Sequence, residues 1–346
     1  MTYIIGEIGQ NHNGSVDIAK LIVDAAIRPV KEVDFNLDLK PFDAIKLTKR
    51  DLDFELSRDQ MELPYLGTNS FGRTYREHRE FLELNNDEHF EIYKYAKEKG
   101  LDFIETLCSP TCLSLLNLFI PDKLKVASRD LTNIPLLERL SETGIPIILS
   151  TGMAGQSELD IALGIITKHH ESISILHCVS QYPTHPDNAN LNTIRYLIKK
   201  YPQFDIGYSD HTIGISAPVI AAGMGAKIIE KHITLDRSMK GTDQAGSLGI
   251  DGMNRMVRDI RIAEKFMGKE SIFIDDSTQS AKIKLERSIA AKHGIKAGQI
   301  ISGSDIIMLS PGDGFKWKDR DIIIGKITKS DIEEHQIIYS NLLEND

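Results

Sequence analysis

Eight short apolar runs alternate with longer stretches of helical period, and this alternation constrains the fold more than any other feature of the chain. Near-continuous apolar strands separated by amphipathic helices indicate a parallel sheet covered by helices. Eight such units within residues 1–268 predict a (β/α)8 TIM barrel rather than a doubly wound sheet. The predicted strands are Tyr3–Ile8, Asp43–Thr48, Asp102–Thr106, Lys123–Ala127, Ile145–Ser150, Ser172–Cys178, Phe204–Tyr208 and Ala226–His232. The predicted helices include Asp87–Lys99, Ile134–Thr143, Ser157–His169, Leu191–Lys200, Ser216–Gly225 and Met253–Met267.

The pattern changes at three places along the chain. Residues 28–41 lengthen the connection into the second strand, and residues 49–84 form a long predicted loop after it. Because the second loop leaves the carboxyl end of a strand, we expect it to border the active site. After residue 268 the helical period is lost. We predict a barrel domain over 1–268, a polar linker over 269–286 and a small β-rich domain over 287–346.

Composition and charge exclude several classes of protein. The formal net charge is −9 and the basic residues are scattered, which argues against nucleic acid or an anionic membrane as a partner. No stretch approaches the ~20 apolar residues of a membrane span, and the first residues show no secretion-signal pattern. The three cysteines, Cys108, Cys112 and Cys178, form no CxxC pair. We therefore expect a cytoplasmic protein with reduced thiols.

Polar side chains stand at the carboxyl end of nearly every predicted strand, where TIM-barrel enzymes carry their catalytic groups. One such residue alone has a structural explanation, since Ser150 could simply cap the next helix. A polar residue at almost every strand end is more than a structural barrel needs. The set contains Glu7, Lys46, Thr106, Ser128, Asp130, Ser150, Thr151, Ser180, Tyr182, Ser209, Asp210, His211 and His232.

Two histidines in this set end adjacent strands. His211 and His232, surrounded by carboxylates and hydroxyls, predict half of a divalent metal site with open water positions, which suits manganese, iron or cobalt. Lys46 and Lys125 add positive charge that could hold a phosphate and a carboxylate. No P-loop or GxGxxG motif is present, so a nucleotide is not indicated. These residues predict metal-assisted chemistry on a small phosphorylated acid, with a Schiff-base aldolase using either lysine as the alternative.

Five segments resemble the sialic acid synthase family in order and spacing: EIGQNHNG (7–14), PIILSTGM (146–153), LHCVSQYPT (176–184), IGYSDHT (206–212) and EKHITLD (230–236). In the tail, IKAGQIISGSDI is similar to that family's antifreeze-like (SAF) domain. The resemblance implies an enzyme that condenses phosphoenolpyruvate with an N-acylated amino-hexose, with C–O cleavage and release of phosphate. N-acetylmannosamine and a 2,4-diacetamido-trideoxyhexose are the expected acceptors, and the product is a sialic-acid-like nonulosonate.

The resemblance also implies roles for single residues. His211 and His232 would bind a catalytic manganese that polarises the sugar aldehyde. Asp130, where the family usually has glutamate, would assist the attack of water. Lys46 and Thr106 match positions near the phosphoenolpyruvate carboxylate, whereas Lys125, Ser128, Ser150 and Ser209 match the phosphate cradle. Glu7, Ser180, Tyr182 and Asp243 match positions on the sugar side.

Four positions depart from the family pattern. Thr48 replaces a glutamine, Ser180 an asparagine and Arg129 a small residue. Ser310 replaces an arginine that in family members reaches the partner subunit's sugar site. These changes suggest an altered acceptor, although Arg129 could instead pair with a nearby carboxylate.

The resemblance further implies a domain-swapped homodimer in which the tail of one subunit caps the barrel of the other. Two alternatives stay open on the sequence alone. The tail could be a binding module without a catalytic part, and the whole chain could be a non-catalytic sugar-binding or antifreeze-type protein. The combination of two histidines, two lysines and the acid at 130 argues against the second alternative.

Overall fold

The computed structural model describes residues 1–344 and divides into two compact units, Met1–Gly268 and Lys269–Asp346. The strands are β1 (Tyr3–Gly9), β2 (Val30–Glu32), β3 (Leu37–Leu39), β4 (Ala44–Lys49), β5 (Asp102–Leu107), β6 (Lys123–Val126), β7 (Ile147–Ser150), β8 (Ile173–Cys178), β9 (Asp205–Asp210), β10 (Ile228–His232), β11 (Ser288–Ala291) and β12 (Ile306–Leu309). Eight of them close a parallel barrel in the order β1-β10-β9-β8-β7-β6-β5-β4. The predicted TIM barrel is confirmed.

Helices surround the barrel and alternate with its strands. They are α1 (Val16–Ala26), α2 (Arg58–Met61), α3 (Tyr75–Leu82), α4 (Asn86–Glu98), α5 (Ile134–Ser141), α6 (Gln156–Ile166), α7 (Asn192–Lys200), α8 (Ser216–Gly223) and α9 (Ile250–Phe266), with α10 (Gln279–Leu285) and α11 (Arg320–Ile323) in the second unit. Each of the six helices named from the sequence is present, because each has an apolar stripe that packs on the barrel. Local capping fixes their starts: the Asn85 side chain accepts from the Glu88 backbone N–H at 3.0 Å and starts α4.

The two-residue period of the strands gives the barrel interior an apolar layer and, nearer the carboxyl ends of the strands, a polar layer. Ile4 and Ile45 face the helices, whereas the residues after them face the barrel axis. The apolar layer inside the barrel contains Ile5, Ala44, Ile104, Ile148, Leu176 and Ile228. Two residues further along the same strands stand Glu7, Lys46, Thr106, Ser150, Cys178 and Glu230. The polar layer therefore lies at the carboxyl ends of the strands.

Residues 49–84 do not form one continuous loop, so that part of the prediction is wrong. The segment contains α2 and α3, and Thr74 caps α3 by accepting from the Glu77 N–H at 3.2 Å. The sequence T-x-x-E at 74–77 is a helix-start signal that the loop interpretation overlooked. An ion pair of 2.7 Å between Lys49 and Glu83 joins the two ends of the segment.

The other long connection, residues 28–41, forms a β-hairpin. Its strands β2 and β3 pair antiparallel, with Val30 opposite Leu39. Both side chains are buried in the main apolar core, so the hairpin covers the amino-terminal end of the barrel next to α9.

The second unit has its own small core. Strands β11 and β12 pair antiparallel, and Ile289, Ile301 and Ile338 are buried among other isoleucines. Residues 279–285, predicted as linker, form α10. Ser310 donates a hydrogen bond of 2.8 Å to the Leu285 carbonyl. Across residues 1–344, no helix combines the length and apolarity that crossing a membrane requires.

Candidate active site

A cavity of about 410 Å³ opens at the carboxyl end of the barrel, and residues on or after all eight barrel strands line it. We call it the barrel cavity. The resemblance gives roles to thirteen residues, and twelve of them line this cavity: Glu7, Lys46, Thr106, Lys125, Ser128, Ser150, Ser180, Tyr182, Ser209, His211, His232 and Asp243. The thirteenth, Asp130, is not among its lining residues. The polar layer that the strand period creates is thus the floor of this cavity.

Two lysines and two carboxylates alternate on that floor. The Nζ of Lys46 lies 2.6 Å from Glu7 and 4.0 Å from Glu230, and the Nζ of Lys125 lies 3.3 Å from Glu230. All four side chains are at most 6% exposed. Burial opposes ionisation of Glu230, but Lys125 and Lys46 outweigh it and lower the pKa of this carboxyl to about 2. Burial also lowers the pKa of Lys125. The floor is a desolvated set of charges held together by mutual pairing.

Hydroxyl groups surround the lysines. Thr106 accepts from Lys46 Nζ at 3.3 Å, and Ser209 donates to Glu230 at 2.9 Å. The Oγ of Ser128 accepts from the Gly152 N–H at 3.0 Å. In the described chain, the buried Oγ of Ser150 has no hydrogen-bond partner. A buried hydroxyl without a partner is costly, so Ser150 is a ready donor for a bound anion.

Gly152 lets the loop after β7 approach the cavity closely. A Cβ at this position would lie 2.5 Å from Ser180 Oγ, 2.8 Å from Ser128 Oγ and 2.9 Å from Cys178 Sγ. No side chain fits without moving these groups. The glycine therefore keeps Ser128 and Ser180 in place beside the lysines.

The two histidines face each other with ring centroids 5.7 Å apart. His211 donates from Nδ1 to the Val179 carbonyl at 3.0 Å, which makes Nε2 the nitrogen available to a metal in the neutral tautomer. The buried Nδ1 of His232 has no hydrogen-bond partner among the described residues, and burial lowers the pKa of this imidazole. Neutral imidazoles with a free nitrogen are the form that binds a transition metal. Both residues fit the predicted metal, as two protein ligands that leave other positions open.

A metal here would not be held by protein side chains alone. Residues 1–344 contain no group of three or more His, Cys, Asp or Glu side chains arranged to hold an ion. Two imidazoles with open positions are the pattern of a catalytic rather than a structural site. Substrate oxygens and water would complete the ligand set.

Tyr182 and Asp243 line the side of the cavity next to the histidines. The Tyr182 ring packs on His211 with centroids 4.0 Å apart. Asp243 accepts from the Gln10 Nε2 at 3.1 Å, and Gln10 accepts in turn from Arg79 on α3. This chain of hydrogen bonds connects the loop after β10 to the 49–84 segment.

Arg129 pairs with a carboxylate, as the alternative interpretation of this position expected. Its two terminal nitrogens donate to Glu55 at 2.7 and 3.0 Å. Its Nε lies 3.4 Å from Asp130, which also accepts from Asn133 at 3.4 Å. Asp130 thus contacts Arg129, which lines the barrel cavity, and is not itself a lining residue.

Two polar strand-end residues have structural roles instead. Asp210 is buried, pairs with Lys231 at 2.6 Å and accepts from the Thr212 N–H at 2.8 Å, which fixes the turn carrying His211. Thr151 donates to the Leu176 carbonyl at 3.2 Å.

Several cavity residues were missed by sequence reasoning. Glu230 lies two residues before His232 in the EKHIT segment, so the strand period could have identified it. Cys178 likewise lies two residues after Leu176. Arg50 and Arg79 come from the 49–84 segment, whose helix was overlooked, and no local signal connects them to the cavity.

Comparisons with known proteins identify the family of the chain. The NeuB family model matches residues 40–271 and the SAF domain model matches residues 286–344. The chain is 33% identical to human N-acetylneuraminate-9-phosphate synthase, covering 99% of this chain and 93% of that one. It is 31% identical to N,N'-diacetyllegionaminic acid synthase of Legionella pneumophila, covering 93% and 89%.

A solved structure shows the same likeness. The N-acetylneuraminic acid synthetase of Leptospira borgpetersenii, in complex with citrate, superposes with a TM-score of 0.68 at 31% identity, covering 81% of this chain and 90% of that one. The resemblance to sialic acid synthases is confirmed. The chain is an enzyme of the NeuB family with a SAF domain at its carboxyl end.

Proposed function

We propose that this enzyme condenses phosphoenolpyruvate with the open-chain aldehyde of an N-acylated amino-hexose to form a nonulosonate. The observation that carries the proposal is the barrel cavity, which puts two lysines and unpaired hydroxyl donors beside two histidines with free nitrogens. In this reaction C3 of phosphoenolpyruvate bonds to the aldehyde carbon, water adds at C2, and the C2–O bond to phosphate breaks. One water is consumed and one phosphate is released for each product.

Phosphoenolpyruvate would bind on the floor of the cavity. Lys46 and Thr106 would bind its carboxylate, and Lys125 with the hydroxyls of Ser128, Ser150 and Ser209 would bind its phosphate. Ammonium and hydroxyl donors suit both groups, and the low dielectric of this buried floor strengthens each contact. Glu7 and Glu230 keep both lysines charged and oriented before the substrate arrives.

His211 and His232 would hold a divalent metal, which we propose to be manganese. When bound, the metal would supply Lewis-acid polarisation of the acceptor carbonyl. The Val179 carbonyl holds the Nδ1–H of His211, so in the neutral ring Nε2 would be the nitrogen that binds the metal. Tyr182, Ser180, Asp243 and Glu7 would bind and orient the sugar. Glu7 is also placed to exchange a proton with Lys46 at 2.6 Å.

The reaction is tested by measuring phosphate release from phosphoenolpyruvate and manganese with a panel of acceptors. The panel contains N-acetylmannosamine, its 6-phosphate and the two 2,4-diacetamido-trideoxyhexoses of legionaminate and pseudaminate type. We expect release with one acceptor and a product three carbons longer by mass spectrometry. Folded, metal-loaded protein that is silent across the panel would contradict the proposal. Borohydride trapping with pyruvate would instead reveal a lysine Schiff base.

Asp130→Asn tests the proposed role of the acid at 130. If Asp130 assists the attack of water, the variant keeps its KM for both substrates and loses roughly 10²-fold in kcat, the range of a general base. Because Asp130 also contacts Arg129, a structural role would raise the acceptor KM and leave kcat near normal. Steady-state kinetics separate the two, and the second result would remove the acid–base assignment.

We also propose that the SAF domain completes the site in a homodimer, with the tail of one subunit over the barrel of its partner. The exposed Ile272, Phe273 and Ile274 support this, because three adjacent exposed apolar side chains are unusual on a monomer surface.

A further inference from the structure

Three arginines line the rim of the barrel cavity, and neither the sequence nor the proposed reaction accounts for them together. Arg50 follows β4, Arg129 follows β6, and Arg79 lies on α3. Arg50 Nε lies 3.5 Å from a Glu55 oxygen to which Arg129 also donates, so these two guanidinium groups are neighbours. We call Arg50, Arg79 and Arg129 the rim arginines.

The Arg50 guanidinium is poorly satisfied by the protein. Its side chain is 16% exposed, and its buried Nε has no hydrogen-bond partner. Over residues 1–344 the Arg50 side chain donates no hydrogen bond at all, although a guanidinium carries five donors. A largely desolvated cation whose N–H donors have no acceptor raises the free energy of the ligand-free protein, and a bound anion would lower it.

The charges of the rim do not balance. Glu55 is paired bidentately with Arg129, and it is also the carboxylate nearest to Arg50. Arg79 donates to Tyr75 and Gln10 and makes no ion pair in the described part of the chain. Three guanidinium groups therefore share two carboxylates, Glu55 and Asp130. On the cavity floor, two lysines share two carboxylates.

Arg50 and Arg129 each follow a floor lysine, Lys46 or Lys125, by four residues and lie just beyond the carboxyl ends of β4 and β6. In the barrel order, β5 stands between β4 and β6, across the barrel from β9, after which His211 follows. Arg50 and Arg129 thus lie across the mouth from the end of β9, whereas Arg79 reaches Gln10 after β1. A hexose whose aldehyde lies at the histidines would extend toward Arg50 and Arg129.

We infer that the acceptor carries a phosphate at the end remote from its aldehyde, and that the rim arginines bind this phosphate. The inference rests on the proposed function and specifies its acceptor as an N-acylated hexosamine phosphate. Planar guanidinium forks match phosphate oxygens, and no donor of Arg50 makes a side-chain hydrogen bond within residues 1–344.

Arg50→Gln provides the main test, with N-acetylmannosamine and N-acetylmannosamine 6-phosphate compared as acceptors. The native enzyme is expected to prefer the phosphorylated sugar by about 100-fold or more in kcat/KM, the effect of a charged hydrogen-bonded contact. Arg50→Gln should lower that preference at least about 10-fold through the acceptor KM. Arg79→Gln should act in the same direction. Arg139→Gln, which changes a solvent-exposed arginine paired with Glu142, is the matched control.

Three results would overturn the inference: equal use of both sugars by the native enzyme, an equal loss with both sugars in Arg50→Gln, or a rise in the KM for phosphoenolpyruvate alone. The last result would assign the arginines to phosphoenolpyruvate. If no acceptor of the whole panel reacts, the proposed function fails separately. Calorimetry with 2-phospholactate present then tests the phosphate subsite alone. If the native enzyme binds N-acetylmannosamine 6-phosphate but not N-acetylmannosamine, and Arg50→Gln loses this binding, the subsite is supported. If the native enzyme shows no such selective binding, the subsite is refuted.

Discussion

His211→Ala is expected to lower kcat by roughly 10³-fold, the upper end of the loss seen when one preorganised electrostatic group is removed from an active site. The reason is geometric. His211 and His232 both line the barrel cavity with ring centroids 5.7 Å apart, and the Nδ1 of His211 donates to the Val179 carbonyl. One imidazole cannot replace this pair, so binding of manganese should weaken as well. Equilibrium dialysis with Mn²⁺ reads out that loss without relying on activity.

The variant should remain folded. His211 is only partly buried, and its removal forfeits one hydrogen bond, worth about 1 kcal/mol, and the contact with Tyr182. His169→Ala is the matched control, because His169 is exposed in the turn after α6, at the opposite end of the barrel. A His211→Ala enzyme with near-normal turnover and near-normal manganese binding would remove the metal-ligand assignment.

The strands of the barrel could be predicted from the sequence because each is apolar on both faces. A strand buried between the helices and the barrel interior leaves a continuous run such as Ile145–Ser150, and such a run is visible without knowing its neighbours. The same reasoning found Lys46, Thr106 and Ser150, since each stands at the end of its run. It is the position within the strand, rather than the residue type, that identified them.

The roles of residues that act through distant partners could not be predicted in this way. The strand period points Glu230 into the barrel, but its role depends on Lys46 and Lys125, on strands more than a hundred residues earlier. Arg50 and Arg79 depend on the path of the 49–84 segment, which no local pattern specifies. Asp130 is a different case: its motif position predicts an acid–base role, whereas in the structure it contacts Arg129 and is not among the lining residues of the barrel cavity.

Glu230→Gln is expected to lower the free energy of unfolding by about 3 kcal/mol, the lower end of the range for breaking a buried ion pair from one side. Lys125 is 4% exposed, and Glu230 is its partner at 3.3 Å. Removing the negative charge leaves this ammonium buried without compensation, whereas Lys46 keeps Glu7 at 2.6 Å. Urea unfolding measures the loss. Glu142→Gln, at an exposed pair with Arg139, should change stability by less than about 0.5 kcal/mol.

The pH dependence of this loss has a definite sign. The folded-state pKa of Glu230 is lowered to about 2, so its contribution to stability is present above the ordinary glutamate pKa of about 4.3 and is lost as pH falls toward 2. The stability difference between the native enzyme and Glu230→Gln should therefore narrow as pH falls below about 4.3. A difference that stayed constant down to pH ~3 would show that Glu230 is not the ionised partner of Lys125.

Two further measurements distinguish a broken ion pair from a packing defect. Adding Lys125→Met to Glu230→Gln removes the stranded charge and should restore much of the lost stability, because an ion pair replaced as a whole is far less costly than one broken from one side. Phosphoenolpyruvate should raise the Tm of Glu230→Gln more than that of the native enzyme, since its anionic groups would then provide the missing counter-charge. The opposite result would be an equal rise in Tm with phosphoenolpyruvate for both enzymes, together with a loss of less than about 1 kcal/mol in the free energy of unfolding of Glu230→Gln. It would mean that Lys125 is already neutral in the native cavity and that Glu230 interacts only with Ser209 and Lys46.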